Sequence, residues 1–167
     1  AAATEAGGQE SVAASFAAGK IGGEKSLAAL GRQLIGVNSD AAFTALKSCK
    51  GDIQKVVEDA FGNVADNDLA SLKNIAGLVG ARRLVALAPK IYSMVESPVE
   101  EVSALGLGVL PAVADLQDVE KISSLLESAR TPETIEACQN ALKSAVHTQT
   151  PEEQSETIWG LMNKAAN

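Results

Sequence analysis

The chain has 167 residues and 17.1 kDa, of which 46% are hydrophobic and only 3% aromatic. A chain of this length can bury enough surface to fold as one domain, and its core must come from Leu, Val, Ile and Ala. The net charge is −7, and residues 96–167 hold four basic and twelve acidic side chains, so nucleic-acid binding is disfavoured.

The first segment, residues 1–23, is rich in Ala and Gly and predicts a flexible N-terminal arm, with one or two helical turns between Ser11 and Ala18. The opening Ala-Ala-Ala-Thr fits the end left when a targeting peptide is cut at small residues, and it fits a trimmed chain as well. On the first interpretation we expect an exported or lumenal compartment: the thylakoid lumen, the periplasm or the extracellular space.

After the arm, apolar residues recur at spacings of three and four, which predicts amphipathic helices. The first helix ends at Gly36 because glycine accepts the left-handed backbone that closes a helix. Ser39 can cap the second, which ends at Gly51. The third helix begins at Asp52 and ends at Gly62.

The next predicted helix opens at Asp66 or Asn67. Gly77 and Gly80 interrupt its apolar stripe and predict a bend or an end. A break or kink is expected at Pro89, because proline cannot donate a backbone hydrogen bond. One or two further turns follow it.

Three helix starts in the second half share a hydroxyl residue directly before proline: Ser97-Pro98, Thr131-Pro132 and Thr150-Pro151. The hydroxyl can cap a first-turn amide, and proline suits the first helical position. Ser97 with Glu100, and Thr150 with Glu153, complete the pattern of a reciprocal capping box. We therefore expect each of the three to begin a helix.

Between these starts, Pro111 is expected to close the helix that begins at Ser97, and Asp115 to cap the next one. The small-residue run 104–111 contains Gly106 and Gly108. Glycine inside a helix costs about 1 kcal/mol relative to alanine, so close helix packing or an apolar ligand should offset it.

These elements predict an all-α fold: a single-domain bundle of six to eight short helices in residues 24–167, preceded by the flexible arm of residues 1–23. No run of 18 apolar residues exists, so the sequence predicts no transmembrane span.

No catalytic or metal-binding motif accompanies the single histidine, His147, which is predicted to end a helix. Cys49 and Cys138 lie on apolar helical positions, where they form either one disulfide or two buried thiols. We therefore expect that the protein is not an enzyme and that it binds neither a metal ion nor a cofactor.

Candidate partner-binding residues are the basic Arg82, Arg83 and Lys90, set among apolar residues, and the aromatic Tyr92 and Trp159 if they lie at the surface. Arg82 and Arg83 are adjacent and cannot both point to the same side of a helix. The alternative for the basic residues is internal pairing with the acidic half.

The missing catalytic motif, the charge asymmetry and the arm favour a non-catalytic interaction protein that docks on a larger assembly, which could be membrane-embedded. In general appearance the predicted bundle resembles the small helical extrinsic subunits of photosynthetic complexes in the thylakoid lumen. The resemblance concerns the fold class alone, and no sequence motif supports it. On that resemblance, a photosystem is one such assembly. The alternatives are a carrier of an apolar ligand, such as a lipid or pigment, and a proteinaceous enzyme inhibitor.

Overall fold

The computed structural model of the chain describes residues 9–165, and within them the side chains of residues 12–163. These residues form ten α-helices and two short 3-10 turns, and no strand occurs among them. The all-α prediction is therefore confirmed, whereas the predicted number of six to eight helices is too low. The helices are α1 Gln9–Ile21, α2 Glu24–Gln33, α3 Ser39–Ser48, α4 Gln54–Asn63, α5 Leu69–Arg82, α6 Ala88–Val95, α7 Glu100–Val113, α8 Val119–Ser128, α9 Pro132–Val146 and α10 Pro151–Ala165. The 3-10 turns are Val85–Leu87 and Leu116–Asp118.

The core consists of aliphatic side chains that recur at helical spacing. Leu27 and Leu30 are buried on α2, and Val57 and Ala60 are buried on α4. Full burial of one such large side chain contributes about 1.5–3 kcal/mol to folding, so this layer is the main source of stability. The largest fully buried side chains are Leu30, Leu34, Leu46, Ile53, Ile75, Leu78, Ile91, Leu110, Ile122, Val57, Val79 and Val113.

Helices α5 and α7 connect the two halves of the bundle. α5 packs on α3 and α4 from the first half and on α7 from the second, and α7 also packs on α6 and α9. α1 and α2 pack on α3, and α8 packs on α9. α10 lies at the edge of the bundle, and none of its described side chains is buried.

The predicted flexible arm is corrected over Gln9–Ile21, which form α1. α1 has a surface to lie on, because it packs against α2 and α3. A Cβ atom on Gly19 would meet the Ala45 carbonyl oxygen at 3.0 Å, and the Ser15 hydroxyl donates to Gln33 Oε1 at 3.0 Å. Residues 1–8 of the predicted arm lie outside the described residues.

Two of the three predicted hydroxyl-proline starts are confirmed. Thr131 caps α9 by accepting from the Thr134 N–H at 3.2 Å. Thr150 and Glu153 form the reciprocal box of α10: the Thr150 N–H donates to Glu153 Oε2 at 2.8 Å, and the Glu153 N–H donates to Thr150 Oγ1 at 3.3 Å. Both starts depend on residues only three positions apart, which is why the sequence reveals them.

The predicted start at Ser97 is wrong. Ser97 Oγ accepts instead from the Val99 N–H at 3.2 Å in a turn, and α7 begins later, at Glu100, with no side-chain cap. Ser103 Oγ donates to the Val95 carbonyl at 2.8 Å, so the tie between α6 and α7 holds this turn tight. The hydroxyl therefore serves a turn before the helix rather than the first turn of the helix itself.

The predicted breaks also differ from the observed ones. Pro111 lies inside α7 rather than closing it, since the flanking Leu110 and Val113 are fully buried and their burial offsets the lost hydrogen bond. α5 runs through its glycines and ends at Arg82, and the next residue, Arg83, caps it with a left-handed φ of 49°. Pro89 therefore stands in the first turn of a new helix, where its missing N–H costs little.

α7 approaches α6 closely at Gly106. A Cβ atom at this position would lie 2.7 Å from the Val95 backbone nitrogen and 2.9 Å from Met94 Cβ, whereas at Gly108 it would meet nothing within 4 Å. Of the two explanations for the small-residue run, the structure supports close helix packing at Gly106.

Candidate functional site

The structure directs Arg82 inward. Its guanidinium donates hydrogen bonds to the carbonyls of Leu46, Cys49 and Gly51, at 3.0, 2.7 and 3.0 Å. Leu46 belongs to the last turn of α3, whose carbonyls have no partner within the helix. Arg82 therefore ties α5 to the end of α3 and to the segment that follows it.

Arg83 and Lys90 are both exposed, but in different places. Arg83 lines a depression with His147 and Asp115, whereas Lys90 lines another with Phe61, between α4, α5 and α6. The predicted basic candidates do not come together, since Arg82, Arg83 and Lys90 occupy three separate environments.

Tyr92 was proposed as a partner-binding residue only if it lies at the surface. It is buried, with 3% of its surface exposed, so this condition is not met. The Lys121 ammonium lies 4.3 Å from the centre of the ring and 3.0 Å from Glu96 Oε1. The Tyr92 hydroxyl is buried beside the Asp118 carboxylate, but no partner meets full hydrogen-bonding geometry. Burial, and then the negative charge of Asp118, raise the pKa of Tyr92 well above its usual value.

We expect Tyr92→Phe to raise the free energy of unfolding by about 1 kcal/mol at neutral pH, because it removes a buried, unpartnered hydroxyl. In the native protein Tyr92 binds its proton more tightly than in the unfolded chain, so the wild type loses stability as the pH rises above ~10 and the advantage of the Phe variant grows. Tyr92 is the single tyrosine, which makes phenolate absorbance and chemical unfolding across this range specific measurements. A less stable variant would show that the hydroxyl is bonded after all.

Cys49 and Cys138 are both buried, and neither forms a disulfide in the structure. This corresponds to the second of the two predicted alternatives, two buried thiols. The Cys49 sulfur lies 3.6 Å from an Arg82 nitrogen, next to the carbonyls that Arg82 binds. Burial raises the pKa of the Cys138 thiol, which lowers the fraction of reactive thiolate.

His147 is exposed and directly follows the last residue of α9. Its ring makes no hydrogen bond to any described residue. In residues 9–165, no three His, Cys, Asp or Glu side chains are grouped so that they could hold a metal ion. No helix in this part of the chain has the length and apolar content to cross a membrane.

An apolar groove with a volume of about 460 Å³ lies between α8, α9 and α10; we call it the C-terminal groove. Its apolar walls come from all three helices: Leu126, Leu142, Val146, Ile158, Leu161 and Met162. Its polar lining includes Glu127 of α8 and Lys143 of α9.

Helix α10 forms one wall of the C-terminal groove and has few other attachments. Its first turns are held by Gln149, whose carbonyl accepts from Gln154 Nε2 at 3.0 Å and whose Oε1 accepts from Thr157 Oγ1 at 3.2 Å. The positions that line the groove follow one helical stripe, from Gln154 to Met162.

Three large apolar side chains on α10 remain exposed: Ile158 at 50%, Trp159 at 62% and Met162 at 57%. We call these three residues the α10 patch. Ile158 and Met162 also line the C-terminal groove, and Trp159 is next to them around the helix. α10 is the one described helix with three such side chains at least half exposed.

Trp159 was among the predicted partner-binding residues, whereas Ile158, Leu161 and Met162 were not. The groove was missed because it depends on how far α10 stands from α8 and α9. A signal was present in the sequence, since the first half of α10 offers no large apolar side chain to bury.

Comparison with known proteins returned no match: the chain matches no family model, no curated protein and no solved structure. Its function has to be inferred from its own geometry.

Proposed function

We propose that the protein is a non-catalytic interaction subunit that docks on a larger assembly through the C-terminal groove and the α10 patch. The observation that carries this proposal is the exposure of Ile158, Trp159 and Met162 on one helix beside an apolar groove. Exposed contiguous apolar surface is typical of interaction sites, whereas single exposed apolar residues are ordinary.

Trp159 is the strongest candidate for an energetic centre of this surface. Tryptophan is enriched among the residues that dominate binding energy, because its large ring loses much water-exposed area in a partner's pocket. Arg83 and Lys90, the exposed residues of the predicted basic set, line other depressions and would serve at most as secondary contacts. A peripheral, extrinsic position on the assembly belongs to the same proposal, and the exported or lumenal compartment stays a prediction.

The test compares the native complex formed by wild-type protein with that formed by Ile158→Ser/Met162→Ser and by Trp159→Ala. All three side chains are at least half exposed, so these changes should leave folding nearly intact. We expect each variant to lose about tenfold or more in affinity for the assembly, measured by crosslinking and native electrophoresis of tagged protein from its own cells.

The matched control is Val37→Ser, which removes an apolar side chain that is 97% exposed and lies outside the C-terminal groove. It should bind like the wild type. Complexes that survive the α10 substitutions unchanged, or that fail equally with the Val37 control, would contradict the proposal.

A second candidate function, carriage of an apolar ligand, is favoured by the same groove. Its volume of about 460 Å³ falls within the ordinary range of ligand pockets. The half-exposed Ile158 and Met162 weigh against it, because such pockets usually enclose most of the ligand. A denaturing mass spectrum of native protein decides: a stoichiometric lipid or pigment supports carriage, and its absence leaves protein docking.

A further inference from the structure

Helix α10 is the most loosely attached helix of the described chain. Every other described helix packs closely on at least one neighbour, whereas α10 packs closely on none. None of its described side chains is buried, and Ile158, Trp159 and Met162 are at least half exposed. Helices in proteins are stabilised mainly by burial of their apolar face, so α10 as it stands leaves most of that gain unused.

A set of hydrogen bonds joins the start of α10 to the end of α9 through Gln149. The Gln149 N–H donates to the Val146 carbonyl of α9 at 2.9 Å. The Gln149 carbonyl accepts from Gln154 Nε2 at 3.0 Å, and Gln149 Oε1 accepts from Thr157 Oγ1 at 3.2 Å. Gln149 is therefore bonded to both helices and is placed as a pivot, with the apolar residues of α10 further out along the helix.

We propose that α10 is a hinged strap: in the free protein it closes about Gln149 onto α8 and α9, and a docking partner has to displace it. This inference rests on the proposed docking function and adds the regulation of the same site. In the closed position Ile158, Leu161 and Met162 would fill the C-terminal groove. They would contact the apolar side chains of its other two walls, which are Leu126, Leu142 and Val146.

The geometry requires only a small movement. Ile158 precedes Leu161 by three residues and Met162 by four, so the three side chains share one face of α10, the face that lines the groove. Met162 follows Gln149 by 13 residues, which places it about 20 Å from the pivot along the helix. A rotation of about 15° therefore moves Met162 by about 5 Å, roughly half the ordinary distance between packed helices.

The hydrophobic effect favours this closure, because apolar walls that face each other across water gain free energy when the water is expelled. The connection between α9 and α10 spans only residues 147–150, so the apolar face of α10 is held at high effective concentration beside the groove. The charged residues of the lining, Glu127 and Lys143, are opposite in sign, so closure encloses no net charge.

Closure would set a threshold for docking. A partner binds the groove only in the fraction of molecules in which α10 is open, so its apparent affinity falls in proportion to that fraction. The same side chains, Ile158 and Met162, then contact α8 and α9 in the free protein and the partner in the complex.

A disulfide trap in the purified full chain tests the closed position. Leu126 of α8 and Met162 of α10 line different walls of the groove, and a disulfide forms only when the two Cα atoms come within about 7 Å. We expect oxidation to link the pair Leu126→Cys/Met162→Cys at least about tenfold faster than the control pair Leu126→Cys/Gly160→Cys. A Cβ atom at Gly160 meets nothing within 4 Å, so the control reports undirected motion of α10. Mass spectrometry of the peptides identifies the linked cysteines.

Oxidation of Met162 by hydrogen peroxide is a second measurement, and it needs no new cysteine. The chain has two methionines, and Met94, which is 6% exposed, serves as the internal reference. Closure shelters Met162, so Ile158→Ser, which weakens closure, should raise its oxidation rate by about threefold or more. Trp159→Ala removes a side chain that does not line the groove and should leave this rate unchanged.

Three results would overturn the strap. Equal linking of the two cysteine pairs would show that α10 moves without a preferred closed position, and no linking of either pair would show that α10 stays apart from α8. An oxidation rate of Met162 that is the same in the wild type and in Ile158→Ser would also exclude closure.

The native complex tests the competition with the partner. Oxidised Leu126→Cys/Met162→Cys should lose about tenfold or more in affinity for the assembly, and reduction should restore it. Equal docking of the oxidised and reduced forms overturns the regulation by α10.

The two proposals fail in different ways, because the trap and the oxidation rate are measured without a partner. If Ile158→Ser/Met162→Ser weakens docking and the trap does not form, docking stands and the strap is overturned. If the trap forms and wild-type protein joins no complex, the docking proposal fails and the closed position of α10 stands.

Discussion

Gly106→Ala is expected to lower the free energy of unfolding by about 1–3 kcal/mol, although alanine is the better helix former. The added methyl group would lie 2.7 Å from the Val95 backbone nitrogen and 2.9 Å from Met94 Cβ. Backbone cannot rotate away as a flexible side chain can, so α6 and α7 must separate and the packing between them must loosen. Urea unfolding of the purified variant measures the effect.

Gly108→Ala is the matched control, two residues further along the same helix. A Cβ atom there would meet nothing within 4 Å, so only the gain in helix propensity remains. We expect this variant to be more stable than the wild type by about 0.5–1 kcal/mol. Changes of the same sign at both glycines would show that α7 does not approach α6 as described.

Arg82→Met is expected to lower the free energy of unfolding by about 2–4 kcal/mol, since hydrogen bonds from a charged donor are the stronger kind. Methionine keeps much of the side-chain volume but leaves the carbonyls of Leu46, Cys49 and Gly51 without their donor. Arg82→Lys should lose less stability, because the lysine ammonium can reach some of these oxygens. It lacks the planar guanidinium that donates to several acceptors at once. Chemical unfolding of both variants tests this order.

Arg83→Gly is the neighbouring control. The Arg83 side chain is exposed and forms no hydrogen bond or ion pair with any described residue, and its backbone is left-handed with φ of 49°. Glycine accepts that conformation without strain, so this variant should stay within about 1 kcal/mol of the wild type, on the stabilising side. A loss at Arg83 as large as that at Arg82 would contradict the assignment of the inward role to Arg82 alone.

Helix identity and most helix boundaries could be predicted, because the signals that set them are local. Thr131 and Thr150 cap amides three residues away, and the apolar spacing on α2 and α4 predicts the faces that are buried. Prediction failed where a tertiary contact competed. Ser103 of α7 donates to the Val95 carbonyl at the end of α6, next to the turn at Ser97, and Pro111 is retained in α7 by buried neighbours on both sides.

The candidate site was less accessible to prediction, because exposure is a property of the packed bundle. Tyr92 and Trp159 are both aromatic residues on helices, yet Tyr92 is 3% exposed and Trp159 is 62% exposed. Lys121 of α8 lies over the ring of Tyr92, whereas Trp159 belongs to the edge helix α10, on which no described side chain is buried.

The sequence by itself determined an all-helical chain with an aliphatic core and an acidic second half, because these properties follow from side-chain spacing and composition. Tertiary structure alone decided which of two adjacent arginines turned inward, which glycine touched a neighbouring helix, and where an apolar groove stayed open. Those outcomes depend on distances between helices far apart in sequence, and such distances are set only when the whole core packs.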